Sequence, residues 1–319
     1  MFIDSFKQHF ESVADPRQSA KVTYPFFDIL FGSLCAVIAG AHGWFDIREY
    51  LLGHHKWFLE LGMFKAGIPA DDTIARTISA IKPEQFQACF LKWMAAVHTL
   101  TQGELIAIDG KTLRGSYNRE DRSSTIHMIS AYATANKLVL GQLKTDKKSN
   151  EITAIPELLQ LLDLQGALVS IDAMACQTKI AKTIIEQKGD YLLAVKGNQG
   201  NLSKAVQQAF SALRNDASSL EALQTEKQHG RIESRLCQVL DASTLEGNFS
   251  RWKGLKTLAM ITSFRTEKGK PVSMEYRYYI SSRIMSAEQV ASAVREHWAI
   301  ESMHWVLDVS MQEDACQIY

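Results

Sequence analysis

Cysteine is scarce in this chain and badly spaced for a framework. The five residues, Cys35, Cys89, Cys176, Cys237 and Cys316, form no CxxC pair, and their number is odd. That sets aside a disulfide scaffold and a zinc knuckle, and it fits a reducing cytoplasm. Long apolar runs are also missing. The longest, "FFDILFGSLCAVIAGA" (Phe26–Ala41), is broken by Asp28 and falls short of the ~20 residues that cross a bilayer. It reads as a core helix. The opening "MFIDSFKQHF" lacks the basic-then-apolar pattern of a secretory leader, so a soluble, cytoplasmic protein with no membrane partner is expected. An excess of either charge is absent too: 35 basic residues face 35 acidic ones. A uniformly basic nucleic-acid coat is therefore not expected, although a zero sum can hide local patches.

Hydrophobic residues make up 46% of the 319, enough for a sizeable core. The length suits two domains, or one large domain with an insertion. Charge is sorted along the chain. Residues 109–150 hold eight Lys/Arg against four Asp/Glu, residues 176–214 hold six against two, and residues 286–319 hold one against six.

Residues 1–98 read as helical, with apolar positions recurring at three- and four-residue steps through Phe26–Ala41 and Phe86–Val97. Between them, "GIPADDTIARTISAI" breaks at Gly67 and Pro69. Asp71 or Asp72 then caps a helix beginning near Thr73. That short helix carries Arg76, and both a DNA-reading role and a plain bundle role stay open for it.

From residue 105 the period changes. "LIAID" (Leu105–Asp109) is an apolar run ending in an acid, as a buried strand does at the edge of its sheet. "IHMISAYAT" and "KLVLGQLKT" form a hairpin about Ala135–Asn136. "EITAIPELLQLLDL" is a helix with Pro156 near its start. "ALVSID" (Ala167–Asp172) is a second strand ending in an acid, "CQTKIAKTIIEQKG" a helix closed by Gly189, and "DYLLAV" a further strand. Strand, strand, strand, helix, strand, helix, strand is the ribonuclease-H-like order: a mixed α/β sheet with flanking helices. In it the first strand lies beside the fourth, so Asp109 and Asp172 can face each other. Residues 199–285 start polar and helical, then turn strand-rich, which reads as an insertion with its own sheet. Residues 286–316 return to helix.

A third acid comes from "VREHWAIESMHWVLDV". On one helix, His297, Glu301, His304 and Asp308 form a polar stripe, which can deliver Glu301 toward the two aspartates. Alone, Asp109 and Asp172 each read first as turn caps, and the stripe as a solvated face. Together, two strand-end aspartates and a helical glutamate are far more specific. Carboxylates without cysteine suit Mg²⁺ or Mn²⁺ rather than zinc. Two such ions about 4 Å apart align an attacking oxygen, a phosphodiester and a leaving oxygen.

The chain resembles the DDE transposases of bacterial insertion sequences, in the branch that includes the H-repeat-associated proteins. The matching stretches are "GIPADDTIAR", "IAIDGKTLRGS", "TDKKSNEITAIPELL", "IDAMACQ", "GDYLLAVKGNQG", "WKGLKTL", "YYISS" and "HWAIESMHWVLDVSMQEDA". The resemblance implies a helical domain over 1–98, a candidate for DNA binding, and a catalytic core over 99–198. A β-rich insertion over 199–285 and a core helix carrying Glu301 over 286–319 complete it. It implies metal-dependent DNA cleavage and strand transfer at the ends of a mobile element, with Asp109, Asp172 and Glu301 as catalytic, metal-holding acids and two Mg²⁺ or Mn²⁺ ions. Lys111, Arg114, Lys196, Asn198 and Gln199, with Arg76, are the DNA-contact candidates. Its partners would be double-stranded DNA, both terminal inverted repeats and target, met by a homodimer on paired ends at the nucleoid.

The chain departs from the family twice. Related elements often carry a Tyr-Arg-Glu-Lys pattern about the third acid; here those flanks are His297 and Asp308, so no Arg or Lys role transfers. Family members also continue past "EDACQIY", which implies a truncated copy. Three other readings stand beside the active transposase. They are an inactive DNA-binding remnant, a zinc hydrolase on His297, Glu301 and His304, and a nuclease without end specificity.

Overall fold

The computed structural model describes residues 2–98, 103–116, 125–145, 151–213, 220–228, 231–267 and 271–315. Positions 146–150 of the "TDKKSNEITAIPELL" stretch and Cys316 lie outside them. The chain divides into two compact units: Met1–His98 with Leu113–Thr125 and His304–Tyr319, and Thr99–Thr112 with Ile126–Met303.

Among the described residues, positions 2–98 of the first unit form six α-helices: α1 (Phe2–Phe10), α2 (Phe26–Ile38), α3 (Trp44–Gly53), α4 (His55–Glu60), α5 (Asp71–Ser79) and α6 (Pro83–Val97). Its core is aromatic, with Phe6, Phe10, Phe31, Phe58 and Phe64 buried together. Buried Asp28 does not break α2. It accepts the Phe64 N–H at 2.7 Å, satisfying a backbone donor where the chain turns through a left-handed Phe64 (φ 52°). Helix α5 starts at Asp71, two residues before the expected point. Neither Asp71 nor Asp72 caps it; both lie in its first turn, where carboxylates favour the helix dipole.

The second unit is built on one nine-stranded sheet, ordered β3-β2-β1-β4-β5-β9-β8-β7-β6. The strands are β1 (Leu105–Thr112), β2 (His127–Ala133), β3 (Leu138–Thr145), β4 (Leu168–Ile171), β5 (Asp190–Val195), β6 (Leu220–Gln228), β7 (Arg231–Asp241), β8 (Thr257–Glu267) and β9 (Ser273–Ser281). Strand β1 pairs antiparallel with β2 and parallel with β4. The β2–β3 connection turns where expected, with Lys137 left-handed. The strands of residues 199–285 do not make a separate sheet. Strand β9 pairs antiparallel with β5, Leu193 opposite Ile280, so the insertion extends the core sheet and covers an edge that would otherwise carry unpaired backbone groups.

Alternation sorts the side chains into two layers. Ile106, Ile108, Val169, Ile171, Leu193 and Ile280 face one core with α7 (Glu151–Gln160), α8 (Thr178–Glu186) and α9 (Gly200–Leu213). Leu105, Leu168, Leu192, Ala259 and Tyr279 face another, beneath α10 (Ala287–His297). Pro156 lies in the middle of α7 rather than near its start. One helical hydrogen bond is lost there, while its neighbours Ala154, Ile155, Leu158 and Leu159 hold the helix to the sheet. Past α8 the left-handed residue is Lys188 (φ 61°). Gly189 serves close approach instead, since a Cβ there would lie 3.0 Å from the Leu164 carbonyl.

Candidate active site

Parallel register brings the first two acids together. Ile108 lies opposite Ile171, so the residues that follow, Asp109 and Asp172, leave neighbouring strands at the same end, where strands are spaced about 4.8 Å apart. Counting by twos from Leu105 and Leu168 puts both acids on the α10 face. Asp172 also caps the short turn after β4, its Oδ1 accepting the Met174 N–H at 3.1 Å. The turn-capping reading and the site reading are therefore both present in one residue.

Glu301 reaches the same face from a different element than expected. The single helix foreseen through His297–Asp308 is two: α10 ends at His297, Trp298 is its C-cap, and α11 runs Ala299–Val309. Ser286 and Gln289 close the start of α10 in a reciprocal capping box. In α11, Ile300 is fully buried against Ala107 and Tyr132. Ala107 shares its face of β1 with Asp109, and Ile300 anchors the first turn, in which Glu301 sits. His297 is held by the Ser170 backbone, while burial pulls its pKa down against the opposing charge of Asp172. Its Nδ1 is buried and makes no hydrogen bond.

The electrostatics record this crowding. Burial pushes the Asp109 carboxyl up to about 7, the Gly110 N–H opposes this, and the charges of Asp172, Glu301 and Glu151 push it further. Glu301 is also raised by burial, with Arg277 pulling the other way. The acids are neighbours by charge rather than a finished cage: among the described residues, no three His, Cys, Asp or Glu side chains are already arranged around an ion.

The donor chemistry fits a hard divalent cation. Three carboxylates supply oxygen, and a positive ion would relieve the repulsion that lifts Asp109. Nearby Cys176 offers no thiolate, because burial and then the Asp172 charge push its thiol up to about 12. Zinc loses its preferred partner there, and the His297 and His304 of the zinc reading belong to different helices.

Two residues near the site went unread in the sequence. Glu151 opens α7 and is buried at 5% exposure. Arg277 on β9 stacks over Trp298 at 5.5 Å and pairs with Glu275 at 3.0 Å. It lines a cavity of about 540 Å³ shared with Trp298, Ala299 and Ser302. The signal for Glu151 was its place at the head of the first helix after the hairpin. For Arg277, no pattern distinguished it from other strand arginines.

The DNA-contact candidates fall in different settings. Lys196, Asn198 and Gln199 follow β5 at the end of the sheet where Asp172 follows β4. Lys196 is exposed. The Asn198 side chain donates to the Ala173 carbonyl at 2.6 Å and that of Gln199 to Gln177 at 3.3 Å. These two amides brace the loop behind Asp172. Lys111 is half-buried at the end of β1. In the first unit, the Arg114 N–H donates to Asp314 at 3.0 Å, with its guanidinium 3.9 Å from the same carboxylate. Arg76 is exposed on α5, bonded to the Asp72 carbonyl at 3.2 Å.

A mixed sheet running β3-β2-β1-β4-β5, with β2 antiparallel and β4 parallel to β1, has the ribonuclease-H-like arrangement that the order of elements predicts. Comparison with known proteins narrows this. Residues 100–319 match the transposase DDE domain, and residues 7–94 match the DDE_Tnp_1-associated domain. The chain is 47% identical over 325 residues to the "H repeat-associated putative transposase YhhI" of Escherichia coli K12, covering all of this chain and 86% of that protein. It is 48% identical over 329 residues to the "Putative transposase YncI" of Escherichia coli O157:H7, covering all of this chain and 83% of that protein. The chain belongs to the DDE transposase family, in its H-repeat-associated branch.

Proposed function

We propose that this protein cleaves DNA at the ends of an insertion sequence and transfers the freed strands to target DNA, using Asp109, Asp172 and Glu301 to hold two Mg²⁺ or Mn²⁺ ions. The observation that carries the reading is the β1–β4 register, which sets Asp109 beside Asp172 on the face that α11 covers. When bound, such ions activate water or a 3′-hydroxyl and stabilise the leaving oxygen of an in-line displacement. The chain's own part is placement. Strand ends fix two carboxylates, buried Ile300 fixes the helix of the third, and Asn198 braces the loop behind Asp172. No Ser or Tyr nucleophile is needed, because the attacking oxygen belongs to water or DNA.

In this reading the helical unit over 1–98 and Arg76 engage the terminal repeats. Lys111, Arg114, Lys196 and Gln199 contribute phosphate contacts, and a homodimer holds the paired ends. Asp109→Ala, Asp172→Ala and Glu301→Ala each remove cleavage of end-containing DNA by about 10³-fold or more, with DNA binding largely retained in a gel-shift assay. Wild-type rates in all three variants would refute the assignment. The inactive-remnant reading predicts instead that the wild-type chain binds end DNA and never cuts it with Mg²⁺ or Mn²⁺.

A further inference from the structure

The strands of the insertion carry a charged face whose purpose the three acids do not explain. On β9, Tyr279, Arg277 and Glu275 alternate onto one face, and on β7 so do Cys237, Arg235 and Glu233. Tyr279 and Cys237 are buried beneath α10. The charged members lie further along the same face and line the cavity of about 540 Å³ that reaches Trp298, Ala299 and Ser302. Across β6 and β7, Glu226 stands directly opposite Glu233, a like-charge pair that weakens a ladder unless cations offset it. Three arginines do so. Arg235 lies 3.6 Å from Glu226 and 3.1 Å from Glu233, and Arg265 lies 3.7 Å from Glu233. The third, Arg295, comes from the last turn of α10 and pairs with Glu226.

The last turn of α10 is thus tied to β6, and the residue that follows the helix is tied to β9. Arg277 donates twice to Glu275, at 3.0 and 3.2 Å, which fixes the plane of its guanidinium. That guanidinium stacks over the Trp298 ring at 5.5 Å. Trp298 is 44% exposed, so burial alone does not hold its ring. Its carbonyl accepts the Ser302 N–H at 3.2 Å, a bond that closes the first turn of α11 around Glu301. Two clasps from the insertion therefore bracket the junction between α10 and α11.

From this geometry we infer that Arg277 and Arg295 are positioning residues for Glu301: through them the insertion grips the α10–α11 junction and sets the turn from which the third acid projects. The inference rests on the role proposed above for Glu301. It gives the insertion a task beyond covering the β5 edge. Exposed ion pairs add little to global stability, so the clasps act on the local geometry of one turn.

Amide hydrogen exchange of the full chain, without DNA or metal, reads residues 299–303 directly. Wild type, Arg277→Ala, Arg295→Ala, Trp298→Ala and Trp298→Phe are compared, each checked by its melting temperature. The three alanine variants are expected to exchange this segment about two- to fivefold faster at an unchanged melting temperature. Trp298→Phe, which keeps a ring face for Arg277, should restore wild-type exchange. With end-containing DNA and Mg²⁺, single-turnover cleavage by the alanine variants should fall about tenfold at unchanged DNA affinity. Wild-type exchange in all three would overturn the clasps. Faster exchange with undiminished cleavage, beside an active wild type, would overturn the positioning role. A wild type that never cuts would sink the transposase reading, and exchange would then judge the clasps alone. Should Trp298→Ala fail to fold, Arg277→Ala and Arg295→Ala decide.

Discussion

Asp109 is expensive to ionise in this fold, and the cost has a sign that can be checked. Its carboxyl is raised to about 7 by burial and then by its acidic neighbours, from an ordinary value of 3.8. The unfolded chain ionises first as pH rises, so this group withdraws stability progressively between about pH 4 and pH 7. In metal-free protein, Asp109→Asn should therefore raise the melting temperature at pH 8, and raise it less at pH 5. An equal gain at both pH values would mean that the Asp109 carboxyl is not raised in the folded chain. The two aspartates were legible in the sequence because each ends an apolar run, "LIAID" and "ALVSID". Glu151 was not legible, because only the close packing of α7 over Gly110 shows that its side chain turns inward. Arg277 was hidden for a similar reason: its meaning comes from Trp298, 21 positions later in the chain.

At the scale of elements, the order of strands and helices from 105 to 195 could be read from period and punctuation, and the β1–β4 adjacency followed from it. The insertion could not be placed in the same way. Alternation marks β7, β8 and β9 as strands but does not say which edge they seek, and only the β5–β9 pairing joins them to the core. A chain joining residue 198 directly to 286 would expose the β5 edge and uncover Leu193 and Val195. It should be insoluble on expression; a soluble, folded product would show that the insertion is separable. The break at Trp298 is likewise tertiary in origin, since nothing in "REHWAIES" forbids one continuous helix. Within α7, Leu158 is fully buried. Leu158→Ala should cost about 2–5 kcal/mol in urea unfolding.

Over the whole molecule, the zero net charge misleads as a guide to partners. Basic residues are concentrated in 109–150 and 176–214 and acidic ones near the end, so a zero sum does not exclude a nucleic-acid partner. Affinity for end DNA should fall with salt on a log–log plot, and Arg76→Glu should flatten that slope if the helical unit touches phosphates. An unchanged slope would remove Arg76 from the interface. The claim on which everything else depends is that the ends of β1 and β4 hold catalytic metal. Anomalous diffraction from crystals soaked in Mn²⁺ tests it most directly. The account predicts a peak between Asp109 and Asp172. A peak coordinated by His297 or His304 with none between the aspartates, or no peak at all, would contradict it.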